Sequence, residues 1–528
     1  MTERSSFYRK IIYLVLIAVL LFPISQMGAP STLEDEGGTL AQLREEHNLG
    51  QSNLGEIDPA SETIRLATLG LRGIAVSMLW HKGNEYKKKN DWTNYRATLQ
   101  QLAKLQPYFI SFWRFQAWNL SYNVSVELDD VRDRYYYVRR GIEFLKEGIK
   151  YNRFSPYLLT ELGWFTGSKI GTADEKTQYR RLFKADDDFH PADRLREQRD
   201  SWLVSRSWYE AAISAVDDKG RSIGQKNPTV FFAAPAMSQI NYSDAIEREG
   251  AFGEKAKDAW ATAAGLWRDF GNRLMSASTG LKIRLASYDY DLLLKETEQL
   301  KSQLESLVPN PRENLLALRR GELSPEELEL VDTPPGDLTD DQYDRYRALT
   351  QKLNITLQDI ENFIAEEYPE KAAEAHKLAN RIAKNGERVF LIGNNRDVAN
   401  YAYWEERCRV EQTAEALKAH ELAYAANRAF RDDGDLLEAK RMFEECFDLW
   451  ADIFAATPEL GIDSPLAAAL MDEVEQYARV LEQMELSLTD EEIDRKFPLW
   501  ELVEKNDTNG LFNEALQEHH RRAGTTRQ

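Results

Sequence analysis

Hard oxygen donors and an imidazole crowd one short stretch of the chain, Phe183 to Asp193 (FKADDDFHPAD), which brings Asp186, Asp187, Asp188 and His190 close together. Carboxylates and imidazole at that density are the raw material of a divalent-metal site. A calcium loop, however, needs ligands at alternating positions and a glycine at its bend, and this stretch lacks them. The expectation is a solvated loop that caps the following helix. A second island runs against the acidic balance of the chain: Arg132, Arg134, Tyr135, Tyr136, Tyr137, Arg139 and Arg140. Guanidinium and aromatic groups together can stack and bind anions. With Asp129, Asp130 and Asp133 beside it and Glu143 one helical turn beyond Arg139, local ion pairs on a helix face are the expected outcome.

Elsewhere the chemistry is sparse. There is no Gly-x-Ser-x-Gly elbow, no His-Glu-x-x-His, no phosphate loop ending in Gly-Lys-Ser/Thr, and no strand–helix alternation to carry a dinucleotide fingerprint. The seven histidines, His47, His81, His190, His376, His420, His519 and His520, are scattered. Paired carboxylates are too common in an acidic helical chain to single one out. The sequence therefore offers no catalytic residue, no metal ligand and no cofactor, and an enzyme is not expected. Cys408 and Cys446 are too few for a disulfide framework and have no zinc-ligand spacing. They could pair in an oxidising compartment; two buried thiols are the expected state. A formal net charge of -20, from 87 acidic and 67 basic side chains, repels phosphate backbones and disfavours nucleic-acid binding. An apolar content of 43% over 528 residues excludes wholesale disorder.

What the chain does carry is a recurring frame of large and small residues. Leu79, Gly83 and Tyr86 are followed by Tyr95, Leu99, Leu102 and Pro107, and Trp113, Ala117 and Leu120 restart the frame 34 positions on. Leu159, Leu162 and Gly163 restart it after a spacing 12 residues longer, which implies an insertion around Asp129 and Asp130. A further copy places Ala423, Ala426, Asn427 and Phe430 on a first helix, Gly434 at a turn, and Ala439, Phe443 and Cys446 on a second helix. Small residues are needed where helix backbones approach closely, and large ones a turn away fill the groove between them.

Period and slots together resemble the tetratricopeptide family, whose first helix reads Trp-x2-Leu-Gly-x2-Tyr and whose second reads Ala-x3-Phe before a closing Pro. Here Lys82 stands in the Leu slot and Tyr95 in the Ala slot. The resemblance implies an all-α array of helix–turn–helix pairs that acts by binding. It also implies where a partner lies, because in such stacks a second stripe of each first helix lines a concave groove. That stripe reads Ser77, Trp80, Asn84, Lys87; then Ser111, Arg114, Trp118, Ser121; then Tyr157, Thr160, Trp164, Gly167. Trp80, Asn84, Lys87, Arg114, Trp118, Ser121 and Trp164 form the expected partner groove, a mixture of flat apolar area and directed donors.

Ile11 to Phe22 is unbroken apolar and is extended by the weakly polar Pro23 to Ala29. Arg4, Arg9 and Lys10 precede it and Glu34, Asp35 and Glu36 follow, which predicts a single membrane-spanning helix with the bulk of the chain outside the cytoplasmic membrane. A cleaved signal peptide is the alternative, disfavoured because no good small-x-small cleavage site follows. The expected division is a tail and anchor at 1–30, an acidic tether at 31–61, an N-terminal helical repeat body at 62–286, a helical hairpin arm with a flexible elbow at 287–367, a C-terminal repeat body at 368–488, and an acidic helix with a disordered tail at 489–528. In the arm, Leu293, Thr297, Leu300, Leu304 and Leu307 form one stripe and Tyr346, Leu349, Leu353, Leu357, Ile360 and Ile364 another. Leu281, Ile283 and Leu285 alternate as an extended piece with no evident partner strand. The functional expectation is a membrane-anchored, extracytoplasmic helical-repeat scaffold that holds an unidentified protein or peptide in the cell envelope. The alternative is an envelope enzyme or carbohydrate-binding protein that uses the groove aromatics as sugar platforms.

Overall fold

A computed structural model of the chain describes Val19, residues 72–105 and residues 107–526; the anchor, the tether and the onset of helical pattern near Glu62 lie outside the described residues. Helices and one two-stranded ribbon account for the regular structure of the described residues, which makes the fold all-α. No described helix is long and apolar enough to cross a membrane. The chain divides into two compact units, one running to Lys226 and including Met237–Tyr242, the other comprising Asn227–Ala236 and Ser243–Gln528. The division thus falls near 226, and most of 227–286 groups with the C-terminal part instead of the N-terminal body.

The first unit is a succession of packed helices: α1 (Arg72–Lys88), α2 (Trp92–Leu105), α3 (Ile110–Trp118), α4 (Val131–Tyr151), α5 (Pro156–Trp164), α6 (Lys176–Ala185) and α7 (Ser201–Asp217). Their starts are written locally. Asp130, Ser155 and Asp200 each accept a backbone N–H of the following first turn, and Pro156 occupies a first-turn position where no N–H is missed. The large residues of the repeat frame, Tyr95, Leu99, Leu102, Trp113 and Leu120, meet Ile142, Leu145 and Leu162 in one core, with Leu79 and Tyr86 packed against it. The long second spacing goes into a π-helical continuation of α3, Asn119–Val124, and into the length of α4. Glycines set the close approaches. A Cβ on Gly141 would stand 2.7 Å from the Ala117 carbonyl oxygen, and one on Gly163 would stand 3.0 Å from the Tyr209 ring. Gly163 and Gly167 are one turn apart on the chain and both face α7, where Ser205 Oγ donates to the Gly163 carbonyl at 2.7 Å. The helix bearing the third copy of the frame therefore packs closely on α7.

The two chemically dense stretches of the sequence find each other. Tyr135 Oη donates to Asp186 at 2.7 Å and Arg139 pairs with the same carboxylate at 3.2 Å. Asp187 pairs with Arg199 at 2.5 Å, and the Phe189 N–H donates to Asp186 at 3.1 Å. Arg134 pairs with Glu175 and Arg140 with Glu143. Tyr135 and Arg139 thus join the island to the loop, while Arg134, Arg140 and Asp187 find partners outside the other stretch.

The second unit begins with α8 (Pro228–Arg248), whose residues 237–242 belong to the first unit, and α9 (Glu254–Asn272). Trp260, Ala263 and Trp267, three and four residues apart, form the buried face of α9. The extended piece does have a partner: β2 (Lys282–Ile283) pairs antiparallel with β1 (Met275–Ser276). Next come α10 (Ser287–Ser306), α11 (Pro311–Gly321), α12 (Pro325–Asp332), α13 (Asp340–Leu353), α14 (Leu357–Glu367) and α15 (Ala372–Ala399). Leu300 and Leu304 of one arm stripe meet Ile360 and Ile364 of the other, together with Ala375 and Ile382. The elbow contains α12, which starts with a capping box between Ser324 and Glu327.

The unit closes with α16 (Tyr401–Val410), α17 (Ala414–Arg428), α18 (Leu436–Ala456), α19 (Pro465–Gln483), α20 (Glu491–Lys496), α21 (Trp500–Asn506) and α22 (Asn513–Thr526). Ala423, Ala426, Ala439, Phe443 and Cys446 are buried in one core, and Gly434 turns between α17 and α18 with φ of 68°. Cys408 and Cys446 are free, buried thiols. The tail expected to be disordered is instead α22. His519 stacks on Trp500 at 4.6 Å between centroids, and its Nδ1 lies 2.6 Å from Asp494 Oδ1.

Candidate functional site

In the first unit, α1, α3 and α5 bring most of the expected groove residues onto one exposed aromatic row. Trp80 (38% exposed) stacks on Phe115 (45%) at 5.7 Å, and Trp118 (42%) and Trp164 (42%) stack on Tyr122 at 6.3 and 5.6 Å. These exposures place the tryptophans outside the core, whereas Trp113 is fully buried. Arg114 donates from Nη1 to Tyr157 Oη at 2.6 Å and from Nε to Glu161 at 3.2 Å. Lys87 Nζ donates to Asn119 Oδ1 at 3.1 Å, and Asn84 is exposed on α1.

Ser121 does not belong to the groove. It is fully buried and its Oγ donates to the Val138 carbonyl at 3.2 Å. Gly167 is likewise buried, against Trp202. Both lie in π-helical segments, Asn119–Val124 and Phe165–Lys169, whose turns hold one residue more than an α-turn. The extra residue rotates every later side chain out of the 3.6-residue stripe. Ala429–Asp433 is a third such segment, so three first helices of the frame end in the same way.

The sequence reading misses the cations that complete the row. Lys169 lies 4.6 Å from the Tyr122 ring centre and Lys226 4.7 Å from that of Tyr157. Burial lowers the ammonium pKa of both. Glu161, nearly buried, takes Lys226 at 3.7 Å as well as Arg114. It is the carboxylate that accompanies the aromatics, and two cations hold it.

A second constellation lies in the second unit, assembled from α8, α9, α16 and α17. Arg407 bridges two acids, Asp244 at 2.5 Å and Glu411 at 3.2 Å. His420 Nε2 lies 2.8 Å from Glu411 Oε2 and 3.8 Å from Glu247 Oε2. Trp260 Nε1 donates to Glu247 Oε2 at 3.1 Å, and Glu247 Oε1 has no hydrogen-bond partner although it is buried. Glu411 is fully buried and Glu247 nearly so, while the His420 side chain keeps 21% of its exposure. Glu247 and His420 line a cleft of about 540 Å³, whose wall continues through Tyr424, Asn427 and Glu473.

Burial and charge pull these groups apart. Burial pushes the Glu247 carboxyl up to about 7 against the attraction of His420. It also opposes the His420 cation, but Glu411 and Glu247 outweigh it and raise the imidazole to about 9. Burial works against the Glu411 anion too, yet His420 and Arg407 hold its pKa below the usual range. Burial raises Asp244 in spite of Arg407. No spacing in the sequence announces this site, because its members come from segments far apart in the chain. Its one local hint is the Arg407/Glu411 pair, one helical turn apart. No known protein family, curated protein or solved structure matches the chain.

Proposed function

We propose that the chain is a helical-repeat scaffold whose first unit holds an extended peptide segment carrying apolar and carboxylate side chains. The exposed Trp80, Phe115, Trp118 and Trp164, with the half-buried Tyr122 between the last two, carry this reading. Large aromatics left in water offer the partner apolar area at little entropic cost, and Lys169, with Arg114 and Lys226 sharing the single carboxylate of Glu161, leaves an excess of positive charge that suits acidic groups. Charge favours the same partner, because this cationic row stands out on a chain of net charge -20. The helix pairs with a left-handed glycine turn and small residues at close approach support a tetratricopeptide-like stack. Ile11 to Phe22, flanked by basic and then acidic residues, supports an anchor that leaves the body outside the cytoplasmic membrane.

The test is site-specific photo-crosslinking in cells, with the reactive residue at 118 and, as a control, at the exposed position Leu437. A defined adduct at 118 that is absent at 437 and competed by an acidic aromatic peptide supports the reading. Equal labelling at both positions, or no competition, overturns it.

A further inference from the structure

The geometry points to a divalent transition-metal site at the floor of the second unit's cleft, formed by Glu247, Glu411 and His420. Each offers one donor atom, and the three donors lie within 4.8 Å of one another. Donors sharing an ion at bonds of about 2.1 Å stand about 3.0–3.4 Å apart. The 2.8 and 3.8 Å separations from His420 Nε2 bracket that range, so side-chain adjustments of a few tenths of an ångström would suffice.

An independent observation points to a ligand. Glu247 Oε1 is buried without any hydrogen-bond partner, beside a cleft that Glu247 and His420 themselves line. A buried carboxylate oxygen left unpaired is costly, and an ion held at Oε2 beside the imidazole would neutralise the carboxylate and, bound by both oxygens, would satisfy Oε1 as well. The surroundings are built to hold the donors still. Trp260 fixes Glu247, and Arg407 fixes Glu411 through its other oxygen, Oε1. Such outer hydrogen bonds orient ligating carboxylates.

Charge gives the valence. Within the hydrogen-bonded cluster, ionised Asp244, Glu247 and Glu411 against Arg407 leave two negative charges when the imidazole is neutral, as ligation requires, which suits a divalent ion; Arg248 and Glu473 on the cleft wall are of opposite sign. The imidazole together with two carboxylates selects zinc or manganese over calcium or magnesium. With three protein ligands, the remaining coordination positions face the cleft, which is the arrangement of a site that also takes water or a substrate oxygen.

The experiment uses the full chain, treated with EDTA and dialysed, then titrated with Zn²⁺ by calorimetry and with Co²⁺ by visible absorption. One equivalent of Zn²⁺ bound, a raised melting temperature and a Co²⁺ d–d spectrum are expected. Glu247→Gln and His420→Gln should each weaken binding by at least about tenfold, and His376→Gln, which alters a surface His–Glu pair, should leave it unchanged. Circular dichroism on each variant separates loss of a ligand from loss of fold. If the variants do not fold, a half-equivalent of Mn²⁺ that selectively broadens the His420 ring resonances of the unaltered protein gives the same answer. No stoichiometric binding, or binding unaffected by both ligand substitutions in folded protein, overturns the site. In that case protons on Glu247 and His420 balance the charge. Neither outcome bears on the aromatic row of the first unit.

Discussion

The indole of Trp113 lies against Gly148, so close that a β-carbon there would stand 2.7 Å from the ring. Trp113 cannot yield easily, being fully buried with its Nε1 donating to the Pro107 carbonyl at 2.8 Å. Gly148→Ala should therefore cost about 1–3 kcal/mol by overpacking, read as a lowered urea midpoint. An unchanged midpoint would show that α3 and α4 separate without resistance.

Two tryptophans five positions apart should respond in opposite ways. Trp113→Ala empties a core site and should cost about 3–5 kcal/mol. Trp118→Ala combined with Arg114→Ala should move the melting temperature little while abolishing binding of the acidic aromatic peptide. A large stability loss in the second variant would assign Trp118 to the core and remove the site.

Gly434 tests the backbone alone. Its φ of 68° disfavours a side chain, while no atom lies within 4 Å of a would-be Cβ. Gly434→Leu should cost about 1 kcal/mol from conformation alone, and Gly434→Asn less. Equal melting of the two variants would mean that the turn relaxes.

His190 supplies a pH dependence. Burial, reinforced by Arg194 and Arg199, holds its imidazole below the ordinary value despite a hydrogen bond to the Phe183 carbonyl. The unfolded chain therefore takes the proton first. Stability from this group is complete above the unfolded value of about 6.5 and falls as pH drops through it toward the folded value. Urea curves between pH 8 and 5 should converge for the unaltered protein and His190→Gln toward acid. Parallel curves would place the charged ring in water.

Topology is tested separately. Protease added to spheroplasts should digest the body of the chain, and protection until lysis would reverse the orientation read from Arg4, Arg9 and Lys10.

Local patterns were legible where local physics decides. Trp260, Ala263 and Trp267 announce a buried face by spacing, and Gly434 announces a turn by composition. Most of the aromatic row could be read because Trp80, Trp118 and Trp164 precede the π-helical segments; Ser121 could not, because it follows the start of one. The place of His519 could not be read from spacing, since only tertiary folding brings Asp494 and Trp500 to it. Glu247, Glu411 and His420 were hidden for the same reason: a buried acid and an exposed one are indistinguishable until their helices pack.

The ion network also decides where α17 can rest. Its buried face is mostly small, Ala416, Ala419, Ala423 and Ala426, with Leu422 the one large apolar side chain among them, so apolar packing alone fixes its position less firmly than a face of large residues would. A slip of one helical turn carries His420 about 5.4 Å along the axis, away from Glu411. The fully buried Glu411 would then lose one of its two partners and Glu247 its facing imidazole, at a cost of several kcal/mol. The charges thus act as a detent: beside the single large step of Leu422 they give a mostly small-residue face one seat, and the position of the cleft wall follows from it.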